Sequence, residues 1–269
     1  MRTVKQILIL ALVALIAGHI ATAIYRGSSD QMDKPVISCP KDVLEVSASA
    51  KESDLLVDIT AKDNQDGDLT ERVIVASVSK LISHNTARVT YLVFDSDDNM
   101  GMAQRIIRYT DYRKPWFQIN EPLIYSTTEN ISVLDRITAY ETAEKDIHDQ
   151  IRVSTLAGTD NSEVFDVTVQ VTNAMGDTAW LTLPVLQLEY NPERPQIQLS
   201  KYLIYLELGE QFNPQKYLES VTVKGEVLTD AAVQVVGTVD SEKAGTYRIT
   251  YNYSANGSMG TAILTVVVQ

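Results

Sequence analysis

The chain has 269 residues, 45% of them hydrophobic, and a formal net charge of -12. This length and composition indicate a folded protein of two or three domains. The acidic balance excludes nucleic acid as an expected partner, since phosphate binding needs clustered lysine and arginine side chains. The single cysteine, Cys39, excludes an intrachain disulfide, so the domains must be stabilised by apolar burial.

The N-terminal segment, residues 1–25, differs in composition from the rest of the chain. It contains an apolar stretch from Ile7 to Tyr25 that follows two basic residues. As a transmembrane anchor, this stretch would span the bilayer once with the N-terminus inside. As a signal peptide, it would be cut near the small residues Ala21 and Ala23, and the protein would be secreted. Both interpretations remain open, and both predict an extracytoplasmic protein with a polar tether at residues 26–32.

An internal repeat follows the tether. Three prolines, each preceded by Lys or Arg, stand eighty residues apart at Pro35, Pro115 and Pro195. Each is followed at a similar distance by a threonine inside an alternating apolar run, and these threonines are Thr90, Thr168 and Thr250. Such self-similarity predicts three copies of one domain. The copies are predicted at residues 33–111, 112–191 and 192–269.

The apolar pattern inside each copy has a period of two residues. In the third copy, Ile249, Tyr251 and Tyr253 fall on one face of a strand, and Val89 and Val167 belong to the same pattern in the other two copies. Short strands of this kind, separated by turn residues, predict an all-β fold. The expected architecture is three tandem immunoglobulin-like β-sandwiches after an N-terminal transmembrane or signal helix.

Further strands can be placed along the chain in the same way. They are predicted at Val43–Ser47, Leu55–Ala61, Arg72–Val78, Gln104–Tyr109, Ile151–Ser154, Thr178–Leu186, Tyr202–Leu208, Val233–Val239 and Ala262–Val268. A helical turn is predicted only within Asn213–Val221. Tyr247 precedes the inward Ile249 by two residues, which is the position of the corner tyrosine of an immunoglobulin-like domain; the alternative is an ordinary half-buried strand aromatic.

An acidic loop, "AKDNQDGDLTERV", opens the first copy's central region and has two interpretations. The first is a calcium site, because crowded carboxylates are relieved by a hard divalent cation. The second is a structural corner, in which Asp66 and Asp68 cap backbone N–H groups of the turn and Gly67 takes a positive φ. In this corner Leu69 enters the core and Thr70 opens the next strand. The spacing does not fit an EF-hand. The candidate calcium ligands come from this loop and from "DSDDN": Asp63, Asp66, Asp68, Asp95 and Asp97.

The acidic loop followed by "TARVTYLVFDSDDNMG" resembles the bacterial immunoglobulin-like domains of the pesticidal-crystal-protein and hyalin-repeat type, which carry a D-G-D-L-T loop. The resemblance covers most of the first copy; in the other two copies the loop has changed beyond the motif. It implies that the acidic loop and "DSDDN" join neighbouring strands at the same end of a sandwich. It also implies a spacer, stalk or binding module of a secreted or anchored bacterial protein, without enzymatic activity.

No motif in the chain predicts a catalytic centre. Three histidines, His19, His84 and His148, and one cysteine do not form a zinc site of the usual kind, and no nucleophile has a base partner by motif. The aromatic residues Trp116, Phe117 and Trp180 could form a sugar-stacking platform, although aromatics in strands usually pack inside. Exposed tyrosines of the third copy are a second possibility, with Tyr202, Tyr205 and Tyr217 as candidates.

The sequence therefore predicts a non-enzymatic stalk or interaction module built from immunoglobulin-like repeats. Two alternatives remain: a module that binds carbohydrate or cell-wall polymer, and an adhesin segment stiffened by calcium. The expected partners are the membrane, through the N-terminal segment, and a protein or glycan of unknown identity. No cofactor other than calcium is predicted.

Overall fold

The structure, a computed structural model, describes residues 34–155 and 163–269. The predicted anchor or signal segment at residues 1–25 and the tether at residues 26–32 lie outside the described residues. Within the described residues, no helix has both the length and the apolar character needed to cross a bilayer.

The first sandwich lies within residues 34–112 and consists of two sheets. Its elements are β1 (Val36–Ser38), β2 (Val43–Val46), α1 (Glu52–Leu55), β3 (Thr60–Asp63), β4 (Gly67–Asp68), β5 (Ile74–Val78), β6 (Thr86–Phe94) and β7 (Met100–Tyr109). One sheet has the order β1-β3-β4 and the other β2-β7-β6-β5, with β2 parallel to β7. The long β6-β7 hairpin forms the centre of the larger sheet.

The second sandwich repeats this arrangement. Its strands are β8 (Trp116–Ile119), β9 (Ile124–Ser126), β10 (Ile137–Glu141), β11 (Lys145–Asp146), β12 (Arg152–Thr155), β13 (Val164–Thr172) and β14 (Thr178–Leu188). The sheets have the orders β11-β10-β8 and β12-β13-β14-β9, and β9 is parallel to β14.

The third sandwich follows the same plan a third time. Its strands are β15 (Gln196–Leu199), β16 (Leu203–Leu206), β17 (Leu218–Val223), β18 (Glu226–Leu228), β19 (Gln234–Val236), β20 (Gly245–Ala255) and β21 (Ser258–Val268). The sheets have the orders β15-β17-β18 and β16-β21-β20-β19, and β16 is parallel to β21. The all-β class and the tandem immunoglobulin-like sandwiches are thus confirmed.

The two-residue period of the sequence becomes the alternation of buried and exposed side chains. Val89, Tyr91 and Val93 of β6 are fully buried, as are Val169 in β13 and Ile249 in β20. Successive side chains of a strand point to opposite faces, so one face of each hairpin fills the core between two sheets. Full burial of a Val or Ile side chain stabilises the fold by about 1.5–3 kcal/mol.

Some predicted elements differ from the observed ones. The strand expected at Leu55–Ala61 is replaced by α1 and β3, because Asp54 accepts a hydrogen bond from the Lys51 N–H (2.8 Å) and closes a helical turn. The prediction of a single helical turn within Asn213–Val221 was incomplete. A 3₁₀ turn does occur there, capped by the Asn213 carboxamide. Further 3₁₀ turns lie at Thr70–Arg72, Val133–Arg136, Thr142–Glu144 and His148–Gln150.

The corner position of Tyr247 has the geometry that the sequence suggested. Its hydroxyl donates a hydrogen bond to the carbonyl of Lys243 at 2.8 Å, four residues upstream. Ile249, two residues further along β20, is fully buried. This hydrogen bond fixes the path of the chain into β20, as a tyrosine corner does in immunoglobulin-like domains.

The chain divides into two compact units, with the boundary between Tyr112 and Arg113. The second unit, residues 113–269, holds both the second and the third sandwich, and a single hydrophobic cluster runs through them. The separation of these two sandwiches at residues 191 and 192 stays a prediction.

Candidate functional site

The acidic loop of the first unit is organised around Asp63, the last residue of β3. One of its carboxylate oxygens, Oδ1, accepts hydrogen bonds from the N–H groups of Gln65 (2.7 Å) and Asp66 (2.9 Å). Gly67 follows with φ of +77°, a conformation that L side chains rarely adopt. The sequence "DNQDG" therefore forms a tight turn whose backbone N–H groups bind the first aspartate.

Asp66 connects the two acidic loops. Its carboxylate accepts hydrogen bonds from the Ser96 N–H and from the Ser96 hydroxyl, the latter at 2.8 Å. The guanidinium of Arg72 stands 3.8 Å from the same carboxylate. The two loops therefore lie at the same end of the sandwich, as the family resemblance implied. The corner interpretation assigned Asp66 to its own turn, whereas the structure shows that this side chain reaches the neighbouring loop.

Asp95 organises the second acidic loop in the same way. Its Oδ1 accepts the N–H groups of Asp97 (2.9 Å) and Asn99 (2.8 Å), and its Oδ2 accepts the Asn99 side-chain amide (2.9 Å). Burial alone would raise the pKa of Asp95, but these hydrogen bonds outweigh burial and hold the pKa below its usual range. The side chain of Asp97 is exposed.

Asp68 completes the acidic group. Its carboxylate accepts the Thr70 N–H at 2.9 Å, and hydrogen bonds from the hydroxyl and N–H of Thr70 lower its pKa. The neighbouring Leu69 is buried, which matches its predicted role in the core. Thr70 begins a 3₁₀ turn, whereas the corner interpretation expected it to open a strand.

The carboxylates of these loops are thus already engaged by donors of the protein itself. In the described part of the chain, no group of three or more His, Cys, Asp or Glu side chains is gathered as a metal site. One atom remains unusual, because Asp63 Oδ2 is buried without a hydrogen-bond partner among the described residues. The calcium site stays a prediction, and the observed hydrogen bonds favour a structural corner.

Two of the three histidines are described, and one of them has a structural role. His148 Nδ1 lies 3.0 Å from the carbonyl oxygen of Ile137, and its backbone N–H donates to Asp146 at 2.7 Å. His84 is exposed in the turn before β6. His19 lies outside the described residues. The ring of His148 therefore ties its 3₁₀ turn to β10.

The aromatic residues singled out from the sequence lie in different environments. The Trp116 ring stacks on Tyr140 with centroids 5.8 Å apart, and the Arg113 guanidinium lies 4.1 Å from the Trp116 centroid. Phe117 is buried in the core. Trp180, by contrast, is 66% exposed on β14. The expectation that strand aromatics pack inside was wrong for Trp180, and the three residues do not form one platform.

The three tyrosines proposed as exposed platforms are not exposed. Tyr202 is buried, and its hydroxyl accepts the Leu199 N–H at 3.4 Å. The hydroxyl of Tyr205 accepts the Phe117 N–H at 2.9 Å, and burial raises its pKa to about 12. Tyr217 is half-buried and stacks on Phe212. That version of the carbohydrate hypothesis was therefore wrong, because these rings contribute to packing.

An open cleft of about 730 Å³ lies within the second unit, between β8 and the segment that runs from β15 to β16. Its lining includes cationic Arg113, Lys201 and Lys216 and anionic Glu210 and Glu219. Because the charges are of both signs, the cleft has no strong preference for an anion or a cation.

The same unit contains a seam where the outer faces of two sheets cover each other. A small apolar space there is lined by Pro184 and Leu186 of the second sandwich and by Tyr202, Ile263 and Thr265 of the third. At this place the alternation of burial stops, and four successive residues from Leu183 to Leu186 are buried. Strands covered on both faces bury successive residues in this way.

Polar contacts also cross the seam. The Phe117 N–H, at the edge strand β8, donates to the hydroxyl of Tyr205 on β16. Asp166 of β13 forms an ion pair with Arg248 of β20. The first contact is partly buried and the second is about half-exposed, so the first is expected to contribute more to stability.

Comparison with known proteins gives one family match. Residues 200–268, which span most of the third sandwich, match a family described as "Bacterial surface protein, Ig-like domain". No curated protein matches the chain. The match supports an immunoglobulin-like domain of the bacterial surface type and hence an extracytoplasmic location. The specific pesticidal-crystal-protein and hyalin-repeat type remains a resemblance.

The solved structures to which the chain is similar have low sequence identities and low TM-scores. A Clostridium perfringens ZmpB structure with an M60 catalytic domain and two CBM51 domains is 12% identical, with a TM-score of 0.25 over 88% of this chain and 31% of that chain. The Bacteroides thetaiotaomicron lipoprotein BT2262 is 11% identical, with a TM-score of 0.23 over 56% and 98%. Mouse cadherin-23 EC22–24 is 12% identical, with a TM-score of 0.21 over 88% and 99%. This chain spans less than a third of the ZmpB chain.

Proposed function

We propose that the chain is a non-enzymatic interaction module of a bacterial cell surface, in which residues 113–269 act as one rigid body of two sandwiches. The observation that carries this proposal is the seam, where the second and third sandwiches share one hydrophobic cluster. Short linkers between separate domains leave them free to move unless their interface is large and apolar. A shared core removes that freedom.

Contacts around the linker add to this rigidity. Asn191 accepts the Glu193 N–H through its side-chain oxygen (2.9 Å) and donates through its amide to the Ser258 hydroxyl (3.0 Å). Glu193 forms an ion pair with Lys224. The linker between β14 and β15 is therefore bound at several points to the third sandwich.

The non-enzymatic part of the proposal is supported by how the reactive side chains are used. The His148 ring contacts the Ile137 carbonyl. Asp63, Asp66 and Asp95 accept hydrogen bonds that hold loops together. The same proposal includes residues 1–25 as the segment that brings the protein out of the cytoplasm, either as a cleaved signal peptide or as a retained membrane anchor. A surface module needs only to hold its shape and to present its faces.

Accessibility in intact cells tests the location. An epitope placed after Gln269 should bind antibody on intact bacteria, and external protease should remove it, while a cytoplasmic control protein stays intact. Antibody binding only after lysis would refute surface display. Washing with high salt and comparing the cell and medium fractions distinguishes an anchored protein from a secreted one.

Limited digestion tests the rigid body. Chymotrypsin can cleave after Tyr112, at the boundary of the units, and after Tyr190, in the linker of the second unit. Because proteolysis requires local opening, a fragment that begins at Arg113 and contains both sandwiches should persist. The Tyr190 side chain is itself exposed, so only a linker held closed would protect the bond after it. Cleavage after Tyr190 at the same rate as after Tyr112 would refute the rigid body.

A further inference from the structure

Trp180 is an exposed indole on the outer face of the larger sheet of the second sandwich. It is 66% exposed, and within the described residues no aromatic ring or guanidinium stacks on it. The other tryptophan, Trp116, is held between Tyr140 and Arg113. An exposed indole presents a flat apolar surface on which a ligand can stack.

The neighbours of Trp180 across the sheet are hydrogen-bonding side chains. Gln170 of β13 stands directly opposite Trp180, and Arg152 of β12 stands opposite Gln170. Adjacent strands lie about 4.8 Å apart, so the three side chains form a row of about 10 Å across the face. The flanking rows carry hydroxyl groups from Ser154, Thr168, Thr182, Thr172 and Thr178. These three rows contain no carboxylate.

The fold itself does not require an aromatic residue in this row. The hairpin register places Ile74, Leu92 and Met102 at the same three positions of the first sandwich. In the third sandwich the positions hold Gln234, Asn252 and Thr261. All three rows belong to sheets of the same topology. Trp180 therefore has no structural role that the equivalent residues share, and its surroundings must explain it.

The site combines a flat apolar ring with surrounding hydroxyl, amide and guanidinium groups. It therefore complements a ligand that has both an apolar face and hydrogen-bonding groups. A pyranose has an apolar C–H face and a rim of hydroxyls that both donate and accept hydrogen bonds. Gln170 offers two donors and an acceptor, and Arg152 offers donors only. A protein partner would instead need several apolar neighbours around the ring. A polyanion would need more cations than the single arginine in the row.

We propose that this face of the second sandwich binds a neutral glycan, with a pyranose ring stacked on Trp180 and its hydroxyls bound by Gln170 and Arg152. The Arg152 guanidinium is held at one end, because its Nη1 donates to the carbonyls of Asp149 (3.3 Å) and Ile151 (3.1 Å). The inference rests on the proposed surface display only for its biological setting. The binding itself is a property of the purified chain.

The expected affinity determines the assay. A single hexose has about twelve non-hydrogen atoms, for which ordinary ligand efficiency gives a dissociation constant of about millimolar. Native-gel affinity electrophoresis with soluble polymers detects such weak binding. The probes are mannan, β-glucan, xylan and a soluble N-acetylglucosamine polymer, each run with the full chain.

Four variants make the experiment specific. Trp180→Ala should weaken retardation by about tenfold, because the stacking surface is lost. Trp180→Phe should weaken it by less, and Gln170→Ala by several-fold. Met102→Ala, at the equivalent exposed position of the first sandwich, should bind like the unaltered chain. Acrylamide quenching of tryptophan fluorescence should fall when the retarding polymer is added.

The outcomes separate the two proposals. If no polymer retards the chain, or if Trp180→Ala migrates like the unaltered chain, the glycan site is overturned whatever the location of the protein. If the purified chain binds through Trp180 but the epitope is inaccessible on cells, surface display fails and the glycan site stands. The melting temperature of Trp180→Ala should match that of the unaltered chain, because the side chain is exposed.

Discussion

The hydrogen bond between Tyr205 and Phe117 provides the sharpest test of the seam. Tyr205→Phe keeps the ring and its packing but removes the acceptor of the Phe117 N–H. Phe117 is 2% exposed, so its N–H would remain buried without a partner. Leaving such a donor unsatisfied costs about 1–3 kcal/mol. For a unit of this size, that corresponds to a fall in Tm of roughly 2–10 °C.

The assay is thermal unfolding of the full chain, measured by calorimetry so that the transition of the second unit can be identified. Tyr217→Phe is the matched control: it makes the same chemical change on a half-buried ring whose stacking on Phe212 survives. We expect Tyr217→Phe to change Tm by no more than about 1 °C, as for a surface substitution. Equal melting of the two variants would show that the seam does not depend on this hydrogen bond.

Three further predictions follow from the same contacts. Burial raises the pKa of Tyr205 from 10 to about 12, so the neutral Tyr205 side chain should contribute its full stability below pH 10. This contribution should be lost as the pH rises towards 12, and Tyr205→Phe should reduce the alkaline loss of stability measured in urea melts. Arg105→Leu should destabilise the first unit by roughly 2 kcal/mol in urea melts, because the Val57 carbonyl and the Tyr91 hydroxyl lose the guanidinium as a donor. The Leu55 carbonyl would keep only its hydrogen bond from the Tyr91 hydroxyl, and unchanged stability would show that Leu repacks there. If the acidic loops form only a structural corner, the Tm should be equal in EDTA and in millimolar calcium. A rise in Tm with calcium that Asp66→Asn abolishes would instead establish a calcium site.

Much of the fold could be predicted from the sequence because alternation in a strand directly encodes which face is buried. The runs around Val89, Val167 and Ile249 predict the central hairpins of all three sandwiches. The local turn chemistry of Asp63 and Gly67 was also visible, since Asp and Gly favour such turns. Helical turns were missed because α1 depends on one side-chain cap rather than on an extended pattern.

The seam was not predicted, although the sequence carries a signal for it. In β14 the run "LPVLQL" is almost continuously apolar, whereas the equivalent part of β7 reads "RIIRY" and exposes the charged Arg108 on its outer face. A continuous run indicates burial on both faces, but it does not say which partner covers the second face. Only the position of Tyr202 and Thr265 against Pro184 and Leu186 answers that question.

The exposure of Trp180 could have been predicted from strand parity. Leu181 and Leu183 point into the core, so Trp180 and Thr182 must point outwards. The general tendency of aromatics to pack inside outweighed this local rule and gave the wrong expectation. What parity could not supply is the row, because the register in which three consecutive strands pair decides that Gln170 and Arg152 stand beside Trp180.

The three copies separate the part of the sequence that specifies the fold from the part that is free to acquire function. Inward positions hold apolar side chains in nearly every copy, since each sandwich must bury its own core. Arg105 is an exception, because the other copies have Leu183 and Leu264 at this position. Its guanidinium donates hydrogen bonds to backbone carbonyls. Apart from the repeated threonines Thr90, Thr168 and Thr250, many outward positions differ between the copies. At equivalent outward positions stand Met102, Trp180 and Thr261, whose surfaces are apolar, aromatic and polar. Divergence at positions with no shared packing requirement is where differences in ligand between the sandwiches should lie, and the exposed ring of Trp180 occupies such a position.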